Sequence, residues 1–492
     1  MLAPVYTTAQ IRAIEQAAGS ASPPLMERAG LAAAEHARRI MGERARNILV
    51  IAGPGNNGGD AFEVAAHLKR WFYRVTVVFA GERAKLSGDA LAALAKWEAA
   101  GGALEQSIPA GARWDLAIDG LFGIGLQRPL SGRHADLVRS INSLGAPILA
   151  IDIPSGLNAD TGAVMGEAVR AAHTITFIGL KPGLLTLDGP DCCGALEVAS
   201  IGLDAETLCA PEGRLLDPSI LAGLLPHRPR NFHKGLAGNV GVLGGARGMI
   251  GAAILAGRAA LSSGSGRVYL ALLAEDAPQV DFLQPELMLR TPEFVLDAKD
   301  MNVIAAGPGM GQSEGAGRLL AQAIASPAAL VLDADALNLL AANAALAEVL
   351  AGRAAPTLLT PHPAEAARLL GCSTREVQAD RIAAARRIAG RYRSAVALKG
   401  NGTVIADAGG AWWINSSGNP GMASAGMGDA LTGFIASLMA QGAPALEALL
   451  AGVFLHGAAG DAAAKRGPLG LTASDVIEQA RSILNSALYP SP

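Results

Sequence analysis

Three aspartates stand where apolar runs give way to glycine-bearing turns: Asp119 in Ile118-Asp119-Gly120, Asp152 in Ile151-Asp152-Ile153-Pro154-Ser155, and Asp429 in Ala425-Gly426-Met427-Gly428-Asp429. A carboxylate so placed can take a proton from a hydroxyl or join neutral oxygens around a hard monovalent or divalent cation. Asn57, Asp60 and Ser155 are such neighbours for the first two. The bland reading makes each aspartate a cap or a turn former; three strand-end positions together favour a site. The glycines offer a second chemistry. Gly53-Pro54-Gly55-Asn56-Asn57-Gly58-Gly59-Asp60 follows an apolar run and contains G-x-G-x-x-G at Gly53, Gly55 and Gly58, in the strand-to-helix setting where backbone N–H groups hold phosphate. Two details weaken a nicotinamide dehydrogenase reading. Asn56, Asn57 and Asp60 fill the turn with polar side chains, and the second apolar run ends in Phe79-Ala80-Gly81 with no clear terminal acid.

The second cradle is the strongest single signal. Gly426 and Gly428 let the chain turn N–H groups inward before an apolar helical stretch, making an anion hole for a transferring phosphoryl group, with Asp429 inside it as proton acceptor. Helix capping by Asp429 is the weaker reading. Lys399, Gly400, Asn401, Gly402 and Thr403 form a tight turn whose cation and hydroxyl suit phosphate oxygens, although the same residues suit a hairpin turn. Gly307-Pro308-Gly309-Met310-Gly311 gives a further flexible strand end, and Thr360-Pro361-His362-Pro363-Ala364-Glu365 sets an imidazole and a carboxylate at a helix entry.

The elements that must position these residues read as α/β. Short apolar runs at 48–52, 75–80, 116–119, 148–153 and 174–178, then at 240–243, 267–272, 303–306, 330–333, 357–360 and 395–399, each precede an Ala-rich helical stretch, the mark of a mostly parallel sheet. At 492 residues the chain exceeds one ordinary core. Pro211, Pro218, Pro226 and Pro229 break the rhythm, so domains are expected at 1–210 and 231–492 with a linker at 211–230. A formal charge of −3 gives no basic field for nucleic acid. No run of about 18 apolar residues free of charge or turn signals is evident, which argues against a membrane span, and residues 1–16 lack the pattern of a secretory signal. A cytoplasmic enzyme is expected, with Cys192, Cys193, Cys209 and Cys372 reduced and incidental. Alanine-rich helix faces such as 31–37 suit packing between subunits of a homo-oligomer.

Taken together, the Asn56 to Asp60 turn, Asp119, Asp152 and Ser155, followed by the Pro-His motif, the 399–403 turn and Ala425 to Asp429, resemble the bifunctional NAD(P)H-hydrate repair enzymes over nearly the whole chain. The resemblance implies two three-layer αβα domains: a Rossmann-like epimerase that interconverts the R and S forms of NADH hydrate and NADPH hydrate, and a ribokinase-like dehydratase that consumes the S form with ADP. It places epimerase substrate contacts on Asn56, Asn57, Gly58, Gly59 and Asp60, on Gly123, Ile124, Gly125, Leu126, Gln127, Arg128 and Pro129, and on Asp152. It places a potassium ion on Asn57, Asp119 and Ser155. In the second domain it places substrate contacts on Ala252, Gly309, His362 and Asp429 and nucleotide contacts on Lys399, Gly400, Asn401, Gly402, Thr403 and Gly428, with Mg2+ accompanying ADP. Asp152 and Asp429 are the expected catalytic groups. Ala364, where the family commonly has Gly, and Met427, where it often has a small residue, depart from the pattern. Two other readings remain: a ribokinase-like small-molecule kinase fused to a Rossmann dehydrogenase, and a first domain that serves only as a nucleotide-binding interaction module.

Overall fold

Runs of Val, Ile, Leu and Ala buried on both faces build parallel strands, because a sheet covered by helices on each side offers no polar face. The computed structural model describes residues 2–19, 21–42 and 46–489. Two units emerge, one formed by Pro4–Gly213 and the other by Met1–Ala3 with Arg214–Pro492.

Strand β1 (Ala3–Val5) opens the chain. In the smaller unit β2 (Asn47–Ala52), β3 (Arg74–Phe79), β4 (Leu104–Glu105), β5 (Leu116–Gly120), β6 (Ile148–Ile151), β7 (His173–Phe177) and β8 (Ala195–Ala199) form a seven-stranded parallel sheet in the order β4-β3-β2-β5-β6-β7-β8. Alternation along β2 separates its two faces: Ile48, Val50 and Ala52 join a core with helices Thr8–Ala17, Leu25–Met41 and Asn56–Arg70, while Leu49 and Ile51 pack toward helix Gly132–Asn142. Chain order reverses between β2 and β5, the switch point beside which open α/β sheets take ligands at the carboxyl ends of their strands.

In the larger unit the strands are β9 (Gly213–Leu215), β10 (Asn239–Gly244), β11 (Arg267–Leu272), β12 (Met288–Arg290), β13 (Val303–Ala306), β14 (Ala329–Leu332), β15 (Thr357–Leu359), β16 (Ala395–Leu398), β17 (Thr403–Ala406) and β18 (Trp412–Asn415). They lie in an 11-stranded sheet in the order β1-β9-β18-β17-β16-β15-β14-β13-β10-β11-β12. From β10 to β16 the pairings are parallel, and β16, β17 and β18 then run antiparallel. Helices Ile250–Ser262, Met427–Ala440, Ala445–Ala464 and Ala473–Leu488 cover one face.

All eleven predicted runs are strands. The linker and the alanine-rich helix face need correction, and one apolar helix needs placing. The interval 211–230 is not free chain: β9 belongs to the larger sheet, and Leu216 and Leu221 are buried in the larger unit's core. Helix Ala445–Ala464 is long and apolar enough to cross a membrane by length and composition, although Glu447 and Asp461 interrupt its apolar run; 61% of its apolar window is buried, with Phe454, Leu455 and Ala459 inside the same core, so it is a core helix of its unit. On helix Leu25–Met41, Ala33, Ala34 and Ala37 are buried within the smaller unit and Leu31 is exposed, so that alanine face serves the unit's own core.

Candidate active sites

In the smaller unit the glycine string is not an open loop. Asn56 begins helix Asn56–Arg70 with Gly55 as its cap, so the residues from Asn56 to Asp60 form the first helical turn at the carboxyl end of β2. Close packing explains the glycines. A Cβ at Gly53 would lie 1.7 Å from the Leu121 carbonyl oxygen, and one at Gly58 would lie 2.0 Å from that of Gly53. The turn aims Asn57 inward, and both polar atoms of its amide are buried without a hydrogen-bond partner.

Asp119 ends β5 and Ser155 follows β6, on adjacent strands. Asp119 is buried; its Oδ1 accepts from Ser155 Oγ at 2.6 Å and from Leu121 N at 3.2 Å, and its Oδ2 from Ser155 N at 2.8 Å. Burial pushes the carboxyl up to about 6 against those hydrogen bonds. No cationic side chain is paired with it among the described residues.

Asp152 follows β6 with φ +67, an uncommon conformation for a residue with a side chain. Its Oδ1 accepts from Lys181 Nζ at 2.6 Å and its Oδ2 from Ile124 N at 3.2 Å. Oδ2 also faces Gly123, where a Cβ would lie 2.9 Å from it and 3.2 Å from Asn57 Oδ1. Asp152, Asn57 and the start of the 123–129 segment therefore meet, while Gly125, Gln127, Arg128 and Pro129 stand exposed beyond them. Lys181 is missing from the sequence reading. Its fully buried ammonium also donates to Thr176 Oγ1 at 2.7 Å and the Phe177 carbonyl at 2.8 Å. The available signal was a cation just after a strand, in Ile178-Gly179-Leu180-Lys181-Pro182. Burial, and then the charges of Asp152, Glu15 and Glu63, push the Asp60 carboxyl well above its ordinary range.

In the larger unit the carboxyl ends of β13, β14, β15 and β16 are adjacent and carry the second set. Gly426, at φ +88, caps helix Met427–Ala440 and puts Asp429 in its first turn. Beneath the loop Asp333 Oδ1 accepts from Lys399 Nζ at 2.6 Å, and its Oδ2 from Thr432 Oγ1 at 2.9 Å. Burial opposes both charges of this pair, but their mutual attraction holds Asp333 down and Lys399 up. A Cβ on Gly428 would lie 3.2 Å from Lys399 Nζ and 3.4 Å from Asp333 Oδ2, so the glycine loop rests directly on the pair. Asp429 is pushed up to about 6 by burial and then by Asp333, with Lys399 pulling the other way.

The 399–403 turn is the hairpin between β16 and β17, and the Lys399 ammonium points inward to Asp333 rather than outward. His362 caps helix Pro363–Leu370: Nδ1 accepts from Ala364 N at 3.1 Å and Glu365 N at 3.3 Å, Nε2 lies 3.1 Å from Glu365 Oε1, and Glu365 Oε2 accepts from His362 N at 2.8 Å. Both ring nitrogens are engaged, which leaves the exposed ring face for a ligand. Ala364 supplies a cap N–H and has no positive φ, and Met427 is buried in the core below the loop. Gly309, at φ +58, abuts the start of helix Ile250–Ser262, where its Cβ would lie 3.2 Å from Ala252 Cβ. His456 was missed too: it lies under Met427, and burial, then Lys399, push it down to about 4, a neutral imidazole.

Residues 22–183 match the family described as YjeF-related protein N-terminus, and residues 240–481 the family described as NAD(P)H-hydrate dehydratase. The chain is 40% identical over 492 residues to the bifunctional NAD(P)H-hydrate repair enzyme Nnr of Coxiella burnetii, covering 98% of this chain and 99% of that one. It is 40% identical over 471 residues to the enzyme of the same name from Escherichia coli K12, covering 94% and 89%. A solved ribokinase-like superfamily protein of Enterococcus faecalis superposes with a TM-score of 0.52 at 27% identity, covering 57% of this chain and 98% of that one.

Proposed function

Because the chain belongs to the family of bifunctional NAD(P)H-hydrate repair enzymes, an epimerase joined to a dehydratase, we propose that Asp429 is the base of nucleotide-driven dehydration and Asp152 the proton carrier of epimerisation. Asp429 carries the first assignment: it sits in the first turn of a glycine-capped helix with its carboxyl near 6, where a base can still accept a proton at neutral pH.

In the larger unit Asp429 takes the proton of the C6 hydroxyl of the S hydrate as that oxygen attacks the terminal phosphorus of ADP, and AMP leaves. The N–H groups of the Gly426 to Gly428 loop hold the transferring phosphoryl oxygens, with the helix dipole adding about 0.3–1 kcal/mol. The C6–O bond then breaks, its electron pair leaving with phosphate; the ring nitrogen lone pair supplies the electrons, and loss of a C5 proton restores the dihydronicotinamide. Lys399 and Asp333 fix the floor of the loop from below. The exposed face of His362, with Gly309 and Ala252, lines the substrate side, and the 399–403 turn takes the nucleotide. Mg2+ shields the nucleotide's phosphate charge when bound. Asp333 and Asp335 are already engaged by Lys399 and Thr432 and by Gly311 and Gln312, and no group of three acids, histidines or cysteines converges among the described residues, so those residues would offer the ion no ready protein cage.

In the smaller unit Oδ2 of Asp152, held among the described residues only by the Ile124 N–H, moves the proton on the departing and returning C6 oxygen, with Lys181 holding Oδ1. The side chains fit a potassium ion: the orphaned Asn57 Oδ1, the buried Asp119 without a cationic partner and Ser155 are oxygen donors, and together they carry one compensating charge. Potassium would order the Asn57 turn against the 123–129 segment, and Arg128, exposed on that segment, would meet the substrate phosphates. A cytoplasmic setting is part of the same proposal.

Purified chain given chemically hydrated NADH of both epimers and ADP should restore reduced-nicotinamide absorbance completely and release AMP and phosphate in equal amounts. An Asp429→Ala chain that still consumed ADP with hydrate at the wild-type rate would remove the assignment.

A further inference from the structure

Arg381 has no place in the site as assigned, yet it is the most costly side chain near it. It opens helix Arg381–Tyr392, where a cation opposes the helix dipole. It is 2% exposed, its Nε is buried without a partner, and no carboxylate pairs with it among the described residues. Burial alone lowers it, to about 10, so it stays charged at neutral pH. A buried charge without a counter-ion is strongly unfavourable. Its contacts are neutral oxygens: NH1 donates to Gln378 Oε1 at 2.8 Å, and NH2 to the carbonyls of Leu398 at 3.2 Å and of Lys399 and Gly402 at 3.3 Å. The last three bracket the 399–403 turn. Gly400, at φ +140, wraps so closely that a Cβ there would lie 2.6 Å from Arg381 NH1.

We propose that Arg381 is the positioning residue of the nucleotide turn and the buried counter-charge to the nucleotide diphosphate. The guanidinium draws three carbonyl oxygens to the inner side of the turn. The Lys399 N–H is taken by the Pro361 carbonyl at 2.9 Å, but the peptide that follows Lys399 sets its positive N–H end on Gly400, which stands exposed beside Asn401. The charge that finds no anion among the described residues finds one across the backbone of the turn when ADP binds. This rests on the reading that the 399–403 turn binds the nucleotide.

The test compares ADP, AMP and adenosine binding by calorimetry on the full-length chain, as wild type, Arg381→Met and Arg381→Gln. Gln can still donate to a carbonyl but carries no charge, and it decides the matter if the Met variant does not fold. Expected is a loss of ADP affinity of about tenfold or more, the size of one charge-assisted contact, a smaller loss for AMP, and adenosine changed by less than about twofold. The KM for ADP should rise in step while the KM for hydrate holds. ADP and adenosine weakened equally, or ADP binding left at the wild-type value, overturns the proposal. Gly400→Ala separates the underlying reading: if that variant binds ADP normally, the turn is not the nucleotide site, whereas loss there with no loss at Arg381 sinks this inference alone.

Discussion

Replacing Asp429 with Asn should abolish dehydration and, at neutral pH, make the larger unit more stable. The carboxyl is raised from its usual 3.8 to about 6, first by burial and then by the charge of Asp333. An acid whose folded value lies above its unfolded value binds more protons in the native state between those two values. Stability therefore falls as pH rises through that window, and above about pH 6 the whole deficit is in place. Roughly two units at 1.36 kcal/mol each set an upper limit of about 3 kcal/mol, and solvent reaching the partly open carboxyl reduces this to about 1–2 kcal/mol. Asn keeps the shape without the charge and removes the deficit. Urea unfolding at about pH 7.5 and about pH 4, read by hydrogen exchange in helix Met427–Ala440, measures it. The variant should be more stable at the higher pH and close to wild type at the lower, where the wild-type carboxyl is protonated in the native state and about half protonated in the unfolded one, so that only a small part of the deficit remains. A variant no more stable at the higher pH, or equally stabilised at both, refutes the electrostatic account of this site.

Other consequences are as direct. The dehydratase rate should fall as pH drops through about 6, because Asp429 must be ionised to accept the proton; a flat acid limb measured with saturating ADP contradicts this. Asp152→Asn should stop R-to-S conversion and leave dehydration of the S epimer at its wild-type rate, and full epimerisation by that variant ends the assignment. Lys181→Met leaves the Asp152 carboxylate unpaired and should cost the smaller unit about 3–5 kcal/mol. Adding Asp152→Asn should return most of that in a double-mutant cycle, and additive losses would show that the pair is not coupled. Exchanging potassium for tetramethylammonium should slow epimerisation and spare dehydration, with Asn57→Ala insensitive to the exchange; equal rates in both salts for wild type would dismiss the ion.

Strands announced themselves because every residue in runs such as 303–306 is apolar and most runs end in Gly, Pro or Asp. The strands missed are those without such a run: β4 has two residues, and β8 is an edge strand with exposed Ala195 and Val198. The β17 and β18 hairpin was legible only as the alternative use of the 399–403 turn. The strand-end aspartates were visible because position and residue type coincide. Lys181 and Arg381 were not, since a buried cation leaves no periodic trace and its partners lie on other elements. The direction of the Lys399 side chain was not legible: Asp333, read only as the end of a strand, attracts the ammonium more strongly than open solvent does. His362 shows the reverse case, since a residue three positions before a glutamate at a helix entry is a capping-box pattern visible in sequence.

Asp333 reaches partners 66 and 99 residues further along the chain, Lys399 and Thr432. During synthesis the carboxylate therefore leaves the ribosome long before either partner exists, and loop closure of that span must precede any gain from the pair. The strands around it can pair as they appear, but the floor of the phosphoryl-transfer loop is completed only when the helix carrying Thr432 docks. Chains truncated between β14 and β16 hold an uncompensated charge in their sheet, and chains truncated ahead of that helix have Lys399 against Asp333 but lack both the Thr432 hydroxyl and Asp429, so a nascent chain becomes a catalyst only once residues 427–440 have docked.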